Sequence, residues 1–340
     1  LSMKAGWSGL EGVEKTSQAI VKHSALRTPC LRPSAACRQQ RIIGRTFPAG
    51  IITANIHRAR KENVDASPQT PIRSFVANHD VRIEVLAQGD GRGRVIVLLP
   101  SLGRGASDFD PIAERLAAAG YRVLRPQPRG IGQSRGPLTG IDLHDWAADV
   151  GAVIAHEGLG SAFVVGHAFG NRVARMLATD RPDLVRAVAL VAANIGKAPS
   201  PPQVRQAIRN SADPLLSDAE RIEALQFAFF APGNDPRGWL KGWHPEVLQA
   251  QRIAGDRTSR EEDFAAGRAP ILYLQPDHDP LAHVEDASAY KERFGERVSV
   301  VVIARSSHAV IAEQPDAVSA ALISYARELW PDGSAPRASS

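Results

Sequence analysis

The segment Gly166-His167-Ala168-Phe169-Gly170 has the spacing of a turn built to present one side chain. The apolar run 162–165 ahead of it reads as a short strand, and residues 171–178 behind it read as a helix. A strand that turns directly into a helix brings its own backbone close to itself, which calls for glycine on both sides of the central residue. A serine, cysteine or aspartate held at such a tip is a nucleophile for covalent catalysis. Here the tip is Ala168, and a methyl group cannot attack a carbonyl. Both cysteines, Cys30 and Cys37, lie far upstream. That placement argues against a disulfide framework, a thiolate metal site and a cysteine nucleophile.

The elements that must position this turn form a regular pattern from Ile72 onward. Residues 73–77 and 81–86 read as a hairpin joined at Asn78-His79-Asp80, and residues 94–99 as a continuous apolar strand suited to the middle of a sheet. A helix is predicted over 111–119, a strand over 121–124, and a helix over 143–156 with Trp146, Val150 and Ile154 on one face. Further strands are predicted at 185–192, 271–274 and 298–303, and a last helix at 315–329. Repeated strand–helix alternation with right-handed crossovers gives an α/β fold, a mostly parallel, doubly wound sheet covered on both faces.

Residues 197–265 interrupt that alternation. They open on Pro199-Ser200-Pro201-Pro202, carry a helical pattern at 219–230, and concentrate rings at Phe227, Phe229, Phe230, Trp239 and Trp243. Inserted between two strands, such a segment is expected as a helical cap over the strand C-termini, where α/β ligands bind. Its rings read either as the insertion's own small core or as the lining of an apolar pocket. The core is then expected at 71–196 and 266–330, with a short non-domain tail at 331–340.

The 340 residues suffice for one large domain with an insertion, and 44% hydrophobic with 23% charged content is ordinary for a globular chain. The net charge of +5 is unevenly spread: residues 1–72 hold eleven Lys and Arg against four Asp and Glu, which leaves the remainder near −2. Nucleic-acid binding therefore has little support. No run of about 18 apolar residues predicts a membrane span. Residues 1–70 lack sustained periodicity and are expected to stand outside the domain. They read as a transit-like presequence, a disordered tail, or translated sequence upstream of the true start, the last suggested by the opening Leu1. The cytoplasm is the default location.

Four motifs in order carry a resemblance. Residues 95–99 run into Pro100-Ser101-Leu102-Gly103. Downstream stand Arg125-Pro126-Gln127-Pro128-Arg129-Gly130-Ile131-Gly132-Gln133-Ser134, then the turn at Ala168, and last an aspartate and a histidine that each come after a late strand. In this the body of the chain, about residues 72–329, resembles the α/β-hydrolase superfamily. Its capped small-molecule members include esterases, C–C bond hydrolases, epoxide hydrolases and haloperoxidase-like enzymes. The family usually has His-Gly where this chain has Pro100-Ser101, and Asp-x-Arg-Gly-x-Gly-x-Ser where it has Gln127-Pro128-Arg129-Gly130.

What the resemblance implies falls on named positions. Aligned on Pro280, Asp279 stands at the family's acid, with Asp277 as the fallback, and His308 stands at its base. Asp would hold the imidazole tautomer and stabilise the imidazolium formed when His takes a proton. The oxyanion hole would come from the backbone N–H groups of Leu102 and Phe169. Ser101 reads as a hydroxyl beside the pocket or as a turn residue. Ser101, His167, Phe229, Phe230, Trp239 and Trp243 are the pocket candidates. The expected ligand is a small apolar ester-like or carbonyl-containing molecule, with no cofactor and no metal. With Ala168 at the nucleophile position, three readings stay open: base chemistry by His308 and Asp279 alone, a non-catalytic ligand-binding pseudoenzyme, or a serine-to-alanine variant of an ordinary serine hydrolase.

Overall fold

The computed structural model describes residues 51–53, 70–196 and 200–331. In chain order the elements are β1 (Ile51–Thr53), β2 (Ile72–Asn78), β3 (Val81–Gln88), β4 (Val95–Leu99), α1 (Asp110–Ala118), β5 (Arg122–Pro126), α2 (Leu143–Glu157), β6 (Ala162–His167), α3 (Phe169–Asp180) and β7 (Val185–Val191). Next come α4 (Pro202–Ala212), α5 (Asp218–Ala228), α6 (Pro245–Arg257) and α7 (Arg260–Phe264). The chain then returns to the sheet with β8 (Ile271–Pro276), α8 (Val284–Phe294), β9 (Val298–Ile303), α9 (Val310–Glu313) and α10 (Pro315–Leu329). Among the described residues no helix is long and apolar enough to cross a membrane.

The strands form a sheet in the order β1-β9-β8-β7-β6-β4-β5-β3-β2. All neighbours are parallel except β2–β3 and β3–β5. Strand β1 pairs with β9 through Ile51–Val300 to Thr53–Val302, and it lies within the stretch 1–70. Residues 1–50, 54–69, 197–199 and 332–340 lie outside the described residues.

The apolar runs are continuous because both faces are covered. In β4, Val95, Val97 and Leu99 join the core on one side, while Ile96 and Leu98 join the core on the other. Strand β8 divides alike, Ile271 and Tyr273 against Leu272 and Leu274. Helices α2, α3 and α8 cover the first side through Trp146, Met176 and Tyr290; α1 and α10 cover the second through Ile112, Leu116, Val318 and Leu322. Helix α2 starts at a reciprocal Asp142–Asp145 capping box and stops at Gly158, whose φ of 71° suits glycine.

The strand order also fixes where a ligand can enter. From β4 the chain moves to β5 on one side and then to β6 on the other, so the connections diverge where β4 and β6 lie side by side. That divergence opens a crevice at their C-terminal ends, bounded by the residues after Leu99 and after His167.

Candidate active site

Strand β6 ends at His167, and Ala168 turns the chain directly into α3 with φ 49° and ψ −110°. The two glycines of the turn are steric necessities. A Cβ on Gly166 would stand 2.3 Å from the Gly170 carbonyl oxygen, and one on Gly170 would stand 2.4 Å from that of Leu99. Asn171 ties the turn to the next strand: its Nδ2 donates to the Val191 carbonyl and its Oδ1 accepts from the Val191 N–H, each at 3.0 Å.

Two loops from β8 and β9 bring an acid and a base together. His308 Nδ1 lies 2.8 Å from Asp279 Oδ2, and both side chains are buried. A carboxylate only accepts, so Nδ1 carries the proton and Nε2 is left as the basic nitrogen. The other Asp279 oxygen accepts from the N–H groups of Leu281 (2.7 Å) and Ala282 (3.1 Å), which fixes the carboxylate. Asp277 does other work. It accepts from the backbone of Arg305 and Ser306, fastening the His308 loop to the end of β8. Glu313 clamps the same loop from the far side, accepting from Ser307 N–H (2.6 Å), Ala231 N–H (2.7 Å) and Asn234 Nδ2 (2.7 Å). Burial pushes its carboxyl above the ordinary range despite those donors.

A cavity of about 350 Å³ opens beside these groups, with Ser101, Leu102, Ala168, Phe169 and His308 on its wall. The backbone N–H groups of Leu102 and Phe169 find no acceptor among the described residues. Two unpaired donors and a basic nitrogen therefore border the same space as the Ala168 methyl. Nε2 of His308 hydrogen-bonds no side chain among the described residues. Nor do these residues include a His, Cys, Asp and Glu cluster fit to hold a metal ion.

The expected pocket residues divide. Ser101, Phe229 and Trp243 line the cavity, the Phe229 ring standing 5.7 Å from that of His308. His167, Phe230 and Trp239 are not on its wall. His167 is fully buried under the site, its Nε2–H donating to the His308 carbonyl at 2.6 Å, with Phe109 and Trp239 edge-on around it. Burial first, then the charges of His308 and Arg104, lower its pKa to about 3. Adjacent residues at a strand end face opposite ways, which separates His167 from Ala168. Phe230 and Trp239 instead meet edge to face at 5.6 Å in the apolar core.

Several wall residues carried no sequence signal. Gln251 of α6 is buried and accepts from the Gly103 N–H at 2.7 Å, next to Leu102. The Gly103 carbonyl in turn accepts from His244 N–H. Arg104 joins the same tie. It pairs with Asp108, donates to the Lys241 carbonyl at 2.8 Å, and lies over the Trp239 and Trp243 rings at 4.5 and 4.8 Å. Arginines 172, 175, 252 and 260 also reach the wall.

Comparison with known proteins agrees with this fold. A 2-(acetamidomethylene)succinate hydrolase of Mesorhizobium japonicum is 23% identical over 72% of this chain and 92% of its own length. A non-heme haloperoxidase of Rhodococcus erythropolis is 26% identical over 71% of this chain and 95% of its own. The structure of a thermophilic esterase from Thermogutta terrifontis superposes with a TM-score of 0.62 at 21% identity, covering 76% of this chain and 99% of that one, and shares the fold. The model of the alpha/beta hydrolase family matches residues 96–321, and the chain belongs to that family.

Proposed function

We propose that the protein acts on a small ester-like or carbonyl-containing molecule in this cavity, with His308 as general base, Asp279 as its orienting acid, and no covalent intermediate at Ala168. The observation that carries the proposal is the 2.8 Å contact between His308 and Asp279 on the wall that also holds two unpaired N–H groups. In this reading the residues 197–265 form a cap, since Phe229 and Trp243 from that segment close the cavity over the strand ends. The relative that hydrolyses 2-(acetamidomethylene)succinate supports a small substrate.

Nε2 of His308 takes a proton from a water molecule, whose oxygen forms a bond to the substrate carbonyl carbon. The charge that develops on the carbonyl oxygen is received by the N–H groups of Leu102 and Phe169. The carbon–leaving-group bond then breaks, and the imidazolium returns its proton to the leaving group. Ser101 lends its hydroxyl to hold the substrate or the water. Losing a triad serine lowers turnover about a millionfold, or about 8 kcal/mol of barrier, yet about a thousandfold or more over water survives from the remaining groups. Slow turnover is the expected behaviour.

A second reading, ligand retention without turnover, is favoured by the Ala168 methyl and by the lack of any side-chain hydroxyl bonded to Nε2. One experiment separates the two. The protein and its Ala168→Ser, His308→Ala and Asp279→Asn variants are assayed on short p-nitrophenyl esters. Slow turnover that His308→Ala abolishes and Asp279→Asn lowers by up to about 10⁴ supports base chemistry. Burst release by Ala168→Ser supports the assigned geometry. Turnover indifferent to His308, or none with any variant, rejects the catalytic reading.

A further inference from the structure

The cavity is strongly uneven in charge. Arg172, Arg175, Arg252 and Arg260 reach its wall, against the single carboxylate of Asp256. Behind the wall the buried Asp263 serves two of the four, taking Arg172 Nη2 at 3.1 Å and Arg175 Nη2 at 3.0 Å. Counting Asp263 with Asp256 still leaves a surplus of two positive charges on this wall, while Asp286 of α8 forms no ion pair with Arg260 although its charge reaches that group.

The guanidinium groups differ in what they have left to offer. Arg172 is spent on Asp263 and on the carbonyls of Gly255 (2.6 Å) and Thr258 (3.2 Å). Arg260 donates to two neutral carbonyls, Gly196 at 2.6 Å and Asn194 at 3.1 Å, so among the described residues it forms no ion pair and three of its N–H bonds remain open. Arg252 has no hydrogen-bond or ion-pair partner among the described residues, not even Asp256 four positions along the same helix. Burial, and then the Arg172 and Arg175 charges, lower the pKa of Arg260 by more than the Asp263 and Asp286 charges raise it.

The cavity wall carries two chemically distinct groups of residues. Phe229 and Trp243 stand by His308, with ring centroids of Phe229 5.7 Å from His308 and 5.8 Å from Trp243. The open guanidinium donors belong to α6 and α7, where Arg172 reaches the carbonyls of Gly255 and Thr258.

We infer that the molecule taken up by this cavity carries an anionic group, a carboxylate, which Arg252 and Arg260 of α6 and α7 hold while its apolar, reacting portion lies against His308, Phe229 and Trp243. A guanidinium presents a planar fork that matches a carboxylate with two parallel hydrogen bonds. The inference rests on the reading of this cavity as the small-molecule site, and it names the class of molecule.

The test uses the full chain and an isosteric pair that contains no ester, phenylbutyrate and phenylbutyramide, titrated by calorimetry at low salt. The acid is expected to bind roughly tenfold more tightly than the amide, as one open charge-assisted pair provides. Raised salt should narrow the gap. Arg252→Gln with Arg260→Gln should abolish it while leaving phenylbutyramide unchanged. Arg252→Gln alone, at a side chain with no structural partner, should reduce the preference severalfold in a protein whose fold is untouched. Equal binding of the two ligands, or a preference that survives both substitutions, overturns the anion assignment and leaves the small-molecule cavity standing. Binding of neither ligand overturns the cavity reading and the anion assignment together.

Discussion

Acid should unfold this protein through the histidine beneath its site. His167 is fully buried, its Nε2–H is committed to the His308 carbonyl, and its Nδ1 faces no acceptor. A second proton would place an uncompensated charge in an apolar cage of Phe109 and Trp239. With the pKa lowered from 6.5 to about 3, the unfolded chain takes a proton at a pH where the folded chain refuses it. Stability from this group is therefore whole above pH 6.5 and is lost as the pH falls toward 3. Each unit of that window costs about 1.4 kcal/mol, so at about pH 4 the loss is about 3 kcal/mol. That is a large fraction of the roughly 5–15 kcal/mol a domain has in total. His167→Gln keeps an amide N–H near the Nε2 position and removes the titration. Urea unfolding followed by tryptophan fluorescence at about pH 7 and about pH 4 measures both proteins. The parent should lose about 3 kcal/mol more than the variant between the two conditions. If both lose the same stability to within about 0.5 kcal/mol, His167 is not the acid-labile group.

Two further outcomes come from backbone and charge geometry. Ala168 sits at φ 49° and ψ −110°, a conformation that costs a residue with a Cβ about 1–3 kcal/mol. Glycine there relieves it against about 0.4–1 kcal/mol of added chain entropy, so Ala168→Gly should raise the unfolding free energy by about 1 kcal/mol. A lowered value would contradict the strain. Asp263 is almost completely buried between Arg172 and Arg175. Asp263→Asn leaves two cations uncompensated and should cost about 3–5 kcal/mol, read by the same unfolding measurement. A cost below about 1 kcal/mol would mean that water already serves those guanidinium groups.

The fold was legible where a run of residues had a single destiny. Strands β4, β6 and β8 are buried along their length and read as apolar runs, β7 and β9 do so but for the exposed Arg186 and Ser299, and α10 was bounded correctly by Pro315 and Leu329. Helix α8 was missed because Ala287 and Tyr290 are its only buried side chains, too narrow a stripe to show a 3.6-residue period. At the site, the glycines around Ala168 announced a turn because geometry admits nothing larger, and the order of motifs singled out Asp279 and His308. Alignment on Pro280 preferred Asp279 but kept Asp277 as the fallback, because spacing carries no contact. The contact depended on how Leu281 and Ala282 curl around Asp279 while Asp277 takes the backbone of Arg305 and Ser306. Nor could spacing foresee the cationic group, since Arg175, Arg252 and Arg260 come from three helices that meet only in the folded chain. Gln251 stayed hidden for the same reason: one polar residue on a helix has no pattern.

The tight crossing at the end of β6 has a consequence for how this protein stands in evolution. The turn is held open by what Gly166 and Gly170 lack, by the grip of Asn171 on Val191 and by the backbone of Ala168, not by the side chain at position 168. The scaffold is therefore indifferent to the chemistry at its own tip. Alanine and serine codons differ by a single base, so position 168 can exchange a methyl for a hydroxyl in one mutational step, with no change in the backbone on either side.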